Sequence, residues 1–222
     1  MAGKILVDDR PVEKAGTLIS GGAAIGLRDA DFPYVSRGGL KLANAIQMLG
    51  LSVQGWDCLD VGASTGGFTD CLLQHGARHV FAVDVGYGQL DWTLRQDSRV
   101  TVIERTNIRH MSAEIVTVSV DLVTIDVSFI SLKIVIPAVL RFMKGGGRIL
   151  ALIKPQFEVG RGKVGKGGVV RDPSVHEAVI EELSFFSVNL GFQRDGLVPS
   201  PILGPRGNRE FVLSLIRPAP AP

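Results

Sequence analysis

The stretch LDVGASTGGF, residues 59–68, decides the fold of this 222-residue chain. The stretch begins with the end of an apolar run that is typical of a buried β-strand. A turn follows that contains Gly62, Gly66 and Gly67, and these glycines let the backbone bend and approach a ligand closely. A helix is predicted to follow in TGGFTDCLLQHG, and the first turn of a helix offers N–H groups without intrahelical partners. The stretch therefore predicts a strand, a glycine turn and a helix, with a ligand at the turn.

Strands and helices alternate from residue 56 onwards, which predicts a parallel, doubly wound α/β sheet. The last two strands, RDGLVPSPI and REFVLSLIRP, have no helix between them and are expected to form an antiparallel pair. The other predicted strands lie at 58–62, 79–86, 100–105, 121–129 and 147–154. The predicted helices lie at 65–76, 131–143 (interrupted by Pro137) and 172–192.

Composition limits the classes of protein to which the chain can belong. Hydrophobic residues make up 45% of the sequence, which is enough for a sizeable core. Because the net charge is only +2, a basic surface could arise only where basic residues cluster locally. Cys58 and Cys71 have no metal-like spacing and indicate buried thiols in a reducing compartment. No apolar run approaches the roughly 18 residues of a membrane span. MAGKILVDDR has no apolar signal-peptide core, so a cytoplasmic location is expected.

The sequence predicts three parts and a short tail. Residues 1–31 read as short strands between Asp-Asp and Gly-Gly turns, and about 30 residues cannot bury a core of their own. Residues 32–55 are predicted to hold a linker and a leading helix with an apolar stripe. The α/β domain is expected over 56–217, followed by a disordered tail at 218–222.

Acidic residues at strand ends refine the expected ligand. Asp84 ends the next strand, where a carboxylate can accept hydrogen bonds from ribose hydroxyls, so an adenosine-containing ligand is predicted. NAD fits poorly because the loop does not match G-x-G-x-x-G. Asp60, inside the strand before Gly62, looks like the acidic opening of the first motif of S-adenosylmethionine-dependent methyltransferases, and the antiparallel last strand is similar to their seven-stranded sheet.

This resemblance implies a Rossmann-like fold of seven strands and S-adenosyl-L-methionine as the cofactor. TNIRH, at 106–110, follows the third strand of the domain and could meet the adenine, with a plain polar turn as the alternative. The candidate cofactor-binding residues are Asp60, Gly62, Ala63, Ser64, Thr65, Gly66, Gly67, Phe68, Asp84, Val85, Asn107 and Asp126.

Charged residues from distant parts of the sequence are expected to meet at one edge of the sheet. Ligands bind beyond the carboxyl ends of parallel strands, where Asp126 and Lys154 end two strands. Glu210 begins the final antiparallel strand at that same edge, and Lys41 lies on the helix that precedes the sheet. Each has a plain reading as a solvated strand end or helix face, but the topology directs all four to one place.

Seven motifs carry a resemblance to a known family: VSRGGLKL, DVGASTGGFTD, AVDVG, TIDVSFISL, LIKPQFE, GKGGVVRDP and GPRGNREF. Together they resemble the TlyA (haemolysin-A-like) family within the FtsJ-like ribose 2′-O-methyltransferases, from residue 33 to about residue 217. That group uses a Lys-Asp-Lys-Glu tetrad, which Lys41, Asp126, Lys154 and Glu210 match one by one. The resemblance implies methylation of cytidine ribose in ribosomal RNA, free or in ribosomal subunits.

The implied tetrad gives each residue a role in removing the proton of a ribose hydroxyl. Lys154 would be the general base, and Pro155 would fix the chain just after it. Asp126 would orient Lys154 by hydrogen bonding, and Glu210 would pair with Lys41. Because the methyl donor already carries a positive sulfonium, alignment for in-line transfer should supply much of the rate.

Basic residues near that edge of the sheet predict an RNA-binding surface. The 155–173 segment, PQFEVGRGKVGKGGVVRDP, lacks hydrophobic periodicity, and a loop of this length is usually functional or disordered. It reads as a flexible clamp on phosphates, with a solvated surface loop as the alternative. The candidate RNA-binding residues are Arg37, Arg161, Lys163, Lys166, Arg171, Arg206 and Arg209.

The chain departs from the family at its beginning. Family members start with a small RNA-binding domain like ribosomal protein S-four, whose first half is two helices. Residues 1–31 resemble only its later, β-rich half, so a truncated module is expected, with a naturally reduced module as the alternative.

Three other functions stay open from the sequence: a non-catalytic RNA-binding or ribosome-associated protein, a secreted cytolysin and an NAD-dependent oxidoreductase. The intact tetrad argues against the first and the glycine spacing against the last. The four histidines share no ligand spacing, so no metal is predicted.

Overall fold

Two β-sheets and six α-helices make up the described part of the chain. The computed structural model describes residues 5–8, 10–12, 16–27, 32–160, 162, 164–165 and 167–219.

A small antiparallel sheet occupies the first described residues. Its strands are β1 (Ile5–Val7), β2 (Arg10–Val12) and β3 (Ile25–Leu27), in the order β2-β1-β3. Asp8 turns the chain after β1 with a positive φ of 49°, and its carboxylate accepts a hydrogen bond from Ala24 N at 2.9 Å. The β-rich character expected of this segment is confirmed.

The main sheet has seven strands in the order β6-β5-β4-β7-β8-β10-β9. The five strands from β6 to β8 run parallel, while β10 is antiparallel to both β8 and β9, which confirms the predicted antiparallel last strand. The bounds are β4 (Asp57–Val61), β5 (His79–Val83), β6 (Val100–Ile103), β7 (Val120–Ile125), β8 (Met143–Ile153), β9 (Gln193–Pro199) and β10 (Phe211–Ile216).

Helices cover both faces of this sheet, so the core has two layers. Leu59 and Val61 of β4 pack in one layer with α4 and α6, whereas Cys58 packs in the other with α1, α2 and α3. The alternation follows from the two-residue period of a strand. The helices are α1 (Gly38–Met48), α2 (Gly67–Gln74), α3 (Trp92–Gln96), α4 (Leu132–Val139), α5 (Pro155–Glu158) and α6 (Pro173–Asn189).

The structure corrects two details of the predicted elements. Pro137 lies inside α4 rather than interrupting it, and a 3₁₀ turn at Leu140–Phe142 follows the helix. The 155–173 segment is not irregular throughout, because Pro155–Glu158 forms one helical turn. Pro155 takes the first position of that turn, where a missing N–H costs no hydrogen bond.

No helix in the described ranges is long and apolar enough to cross a lipid bilayer. The 218–222 tail lies partly outside the described residues, which end at 219.

Candidate active site

A pocket of about 290 Å³ opens at the carboxyl ends of β4, β7 and β8. β4 lies between β5 and β7, which is the point where the strand order reverses and where open α/β sheets bind ligands. The lining residues come from the glycine turn, the beginning of α1, two strand ends and the loop before β10: Ser36, Arg37, Gly38, Lys41, Gly62, Ala63, Ser64, Thr65, Gly67, Phe68, Asp126, Ser128, Lys154, Ile202, Leu203, Gly204 and Pro205.

The glycine turn takes a backbone conformation that few other residues adopt. Gly62 and Gly66 have φ values of 85° and 99°, and Ser64 between them has a φ of 50°. A Cβ at Gly62 would lie 2.5 Å from the backbone oxygen of Asp126, so the glycine lets the β4 and β7 ends approach each other. Gly67 similarly leaves room for Ser36, which brings the beginning of α1 against the turn.

Asp84 holds the glycine turn to the end of β5. Its Oδ2 accepts a hydrogen bond from Ser64 N at 2.8 Å, and its Oδ1 accepts one from Gly86 N at 2.7 Å. Each carboxylate oxygen can accept a further bond, so these contacts leave Asp84 able to bind a hydroxyl.

Asp60, a candidate cofactor-binding residue, does not line the pocket. Its side chain is fully buried beneath the turn, where Thr69 Oγ1 donates to Oδ2 at 2.7 Å and Thr124 Oγ1 donates to Oδ1 at 2.8 Å. Residue 60 faces the α2 side of β4 because strand residues alternate between faces. Asp60 therefore ties α2 and β7 to the strand that carries the turn.

The buried carboxyl of Asp60 predicts a pH-dependent stability. Burial raises its pKa to about 6, against the lowering effect of the Thr69 and Thr124 hydrogen bonds. The folded state then binds the proton more tightly than the unfolded state, so the free energy of unfolding should fall as pH rises from about 4 to 6, by at most ~1.4 kcal/mol per pH unit. We expect Asp60→Asn to lack this component in denaturant unfolding between pH 4 and 8. Parallel curves for the two proteins would contradict the assignment.

Lys154 and Asp126 meet at the edge where β8 and β7 end. Lys154 Nζ lies 2.6 Å from Asp126 Oδ1 and donates to Ser128 Oγ at 3.1 Å. The Lys154 side chain is only 11% exposed, so its direction is set by these two partners and not by solvent. Ser128 was missed in the sequence, although it lies two residues after Asp126 at the same strand end.

Lys41 and Glu210 form a second pair within the same pocket region. Lys41 Nζ donates to Glu210 Oε2 at 2.6 Å, and both residues are buried. The other Glu210 oxygen packs against Gly204, where any side chain would collide with it. The four residues of the predicted tetrad are thus two charged pairs, contributed by α1, the β7 and β8 ends and the residue before β10.

Glu210→Gln is expected to destabilise the fold because it leaves the buried Lys41 ammonium without an opposite charge. The lost charge-assisted hydrogen bond should lower the free energy of unfolding by about 1–3 kcal/mol. Glu182→Gln is the matched control, since Glu182 pairs with Lys133 at the surface, where ion pairs contribute little. Equal effects in urea unfolding would contradict a buried ion pair.

The other candidate residues differ in whether they line the pocket. Val85 is exposed, Asn107 accepts hydrogen bonds from Arg109 N and Nε, and neither lines the pocket. Arg37, Arg171, Arg206 and Arg209 are exposed, and Arg37 lines the pocket. Arg161, Lys163 and Lys166 lie outside the described residues. The described residues hold no group of side chains arranged for a metal ion.

Comparison with known proteins assigns the family. The FtsJ-like methyltransferase family matches residues 34–217. The 16S/23S rRNA (cytidine-2′-O)-methyltransferase TlyA of Mycobacterium tuberculosis is 46% identical over 215 residues, which cover 96% of this chain and 80% of that protein.

Solved structures share this fold. A candidate hemolysin from Streptococcus thermophilus has a TM-score of 0.84 and 44% identity, and the match covers 100% of this chain and 81% of that one. Aeropyrum pernix fibrillarin, solved with bound S-adenosyl-L-methionine, shares the fold with a TM-score of 0.56 at 17% identity, over 80% of this chain and 76% of that one. The sequence match over most of the chain, together with the sheet and its pocket, shows that this chain belongs to the FtsJ-like methyltransferase family.

Proposed function

We propose that this protein is an S-adenosyl-L-methionine-dependent methyltransferase that modifies the 2′-hydroxyl of cytidine ribose in ribosomal RNA. The observation that carries the proposal is the meeting of the Lys154–Asp126 pair with the glycine turn in one pocket, beside the Lys41–Glu210 pair. The substrate is proposed by similarity to the M. tuberculosis TlyA enzyme, at 46% identity.

The residues present fit the cofactor. S-adenosyl-L-methionine, when bound, supplies an electrophilic methyl group on a sulfonium. The turn at residues 62–67 would hold it, because five of its six residues line the pocket and its glycines let the backbone approach a ligand closely. Asp84, fixed by Ser64 N and Gly86 N, would accept hydrogen bonds from the ribose hydroxyls.

Lys154 would receive the proton that the ribose 2′-hydroxyl loses on methylation. Its amine must be neutral to do so, and Asp126 and Ser128 hold Nζ in one orientation towards the pocket. The methyl group that the bound cofactor supplies would replace the hydroxyl proton, and that proton would pass from the hydroxyl oxygen to Lys154 Nζ. The pair of Lys41 and Glu210 would shape the neighbouring wall.

Two loops beside the pocket would bind RNA phosphates. The buried Asn208 side chain accepts from Val170 N at 3.0 Å and donates to Gly168 O and Pro205 O, and Arg206 Nη1 donates to Gly167 O at 3.2 Å. These bonds join the 167–170 segment, which precedes Arg171, to the 205–208 segment, which carries Arg206 and precedes Arg209. Arg161, Lys163 and Lys166, assigned from the sequence, would make further contacts with phosphates, and the N-terminal sheet at 5–27 would belong to a further RNA-binding module.

Methyl transfer to RNA tests the proposal. The assay uses radiolabelled S-adenosyl-L-methionine with purified ribosomal RNA and with 30S and 50S subunits from a strain that lacks the modification. We expect label in at least one of these substrates. Calorimetric binding of S-adenosyl-L-methionine without label in any of them would contradict the proposal and favour a non-catalytic RNA-binding role.

A further inference from the structure

Glu158 connects the two segments that carry Asp126 and Lys154. Its Oε2 accepts a hydrogen bond from Ser131 Oγ at 2.6 Å, and its Oε1 accepts one from Leu132 N at 2.9 Å. Ser131 is the N-cap of α4 and also accepts from Lys133 N at 3.1 Å. One carboxylate therefore joins the end of α5 to the beginning of α4.

The turn that follows Lys154 depends on such attachments. α5 has only four residues, and a single helical turn has no appreciable stability of its own. Its local bonds are Phe157 N to Lys154 O at 2.9 Å and Val159 N to Pro155 O at 3.0 Å. The Lys154 side chain does not cap it, since the N-cap makes no side-chain hydrogen bond. The position of α5 is therefore set by contacts with other elements, whereas the Lys154 backbone is also held by β8, which ends at Ile153.

The 154–158 segment contacts the 126–132 segment at two places, with a contact between aromatic rings between them. On the pocket side, Lys154 Nζ contacts Asp126 and Ser128. On the other side, Glu158, four residues after Lys154, contacts Ser131 and Leu132, which lie three and four residues after Ser128. Between the two, the rings of Phe129 and Phe157 lie 4.8 Å apart. Phe129 has a φ of 64°, a strained conformation for a bulky residue, and the residue is 89% exposed.

We propose that Glu158 is a positioning residue that fixes the distance between Lys154 and Asp126, an inference that rests on the proposed methyl transfer. It does not touch the reacting atoms and does not line the pocket. It acts by holding the 154–158 turn against the 126–132 segment, so that Nζ stays aligned with the ribose hydroxyl.

The Glu158 carboxylate is partly buried, which agrees with a fixed contact to Ser131 and Leu132. Burial raises the pKa of its carboxyl, against the hydrogen bonds from Ser131 and Leu132 and the charge of Lys133, while Glu182 adds to the rise. Hydrogen bonds that are shielded from water are strong when every polar group in them has a partner. Both carboxylate oxygens of Glu158 accept a hydrogen bond.

The test compares Glu158→Ala with Glu158→Gln. Glutamine keeps an oxygen for Leu132 N and offers an N–H to Ser131 Oγ, so it should retain the link, whereas alanine removes it. The matched control is Asp57→Ala, because Asp57 is also a buried, hydrogen-bonded carboxylate but lies at the opposite edge of the sheet with Arg78. Three quantities are measured: kcat, the Kd for S-adenosyl-L-methionine without RNA, and the rate at which an acylating reagent labels Lys154, read by peptide mass spectrometry.

We expect Glu158→Ala to lower kcat by roughly tenfold to a hundredfold, the loss typical of a small misplacement, with the cofactor Kd unchanged. Labelling of Lys154 should become faster in that variant and stay at the wild-type rate in Glu158→Gln and Asp57→Ala. Wild-type labelling of Lys154 in Glu158→Ala would overturn the inference. So would an equal loss of kcat in the alanine, glutamine and Asp57→Ala proteins, which indicates general destabilisation. If wild-type protein transfers no methyl group, the proposed function fails, and the labelling rates still decide whether Glu158 positions Lys154.

Discussion

Lys154→Ala is expected to lower the rate of methyl transfer by about 10²–10⁴-fold, the usual contribution of a general base. The amine is held by Asp126 at 2.6 Å and by Ser128 at 3.1 Å, so its removal takes away the only group assigned to the hydroxyl proton. Binding of S-adenosyl-L-methionine should change little, because the glycine turn lies on other elements. Single-turnover transfer to RNA and calorimetric binding of the cofactor measure the two effects separately.

Lys144→Ala is the matched control for this variant. Lys144 lies on the same strand, β8, but at the opposite edge of the sheet, where it pairs with Asp121. It should transfer methyl groups at the wild-type rate. A rate for Lys154→Ala within tenfold of that control would show that another group takes the proton.

Gly62→Ala is expected to disrupt both the fold and cofactor binding. Alanine at a φ of 85° is strained, and its Cβ would lie 2.5 Å from Asp126 O and 3.3 Å from Val127 Cγ1. Strain and overpacking together should lower the free energy of unfolding by about 2–5 kcal/mol. Since the displaced backbone carries Asp126, methyl transfer should fall even in the protein that remains folded. Urea unfolding and cofactor calorimetry measure these effects.

Gly88→Ala is the control that measures backbone strain without a steric collision of the new Cβ. Gly88 has a φ of 69°, and a Cβ there would meet nothing within 4 Å. Its substitution should cost about 1 kcal/mol, the lower end of the strain for a left-handed alanine. Equal destabilisation by the two substitutions would mean that the close approach of β4 and β7 is unimportant.

The parts of the fold that depend on local pattern could be predicted from the sequence. Apolar runs and glycine turns identified the strands of the main sheet, and the missing helix before the last strand identified the antiparallel pair. The convergence of Asp126, Lys154 and Glu210 followed from topology alone, because strand ends at one edge must be neighbours. Lys41 was expected at the same edge because its helix precedes the sheet, and the family's tetrad supported that expectation.

What could not be predicted depends on contacts between distant segments. The α5 turn is too short for any periodicity, and its position comes from Ser131 and Leu132. The pocket wall at residues 202–205 belongs to a loop whose place is set by Asn208. The burial of Asp60 could have been inferred, because the two-residue period of β4 places it on the face opposite Leu59 and Val61.

The position of the methyl group on the product tests the central claim most directly. Ribosomal RNA or subunits treated with this protein and S-adenosyl-L-methionine would be digested to nucleosides, separated and fragmented by mass spectrometry. The account predicts 2′-O-methylcytidine, with the added mass on the ribose fragment, formed by wild-type protein and not by Lys154→Ala. A methyl group on the base fragment, or a ribose methyl group formed equally by Lys154→Ala, would contradict it.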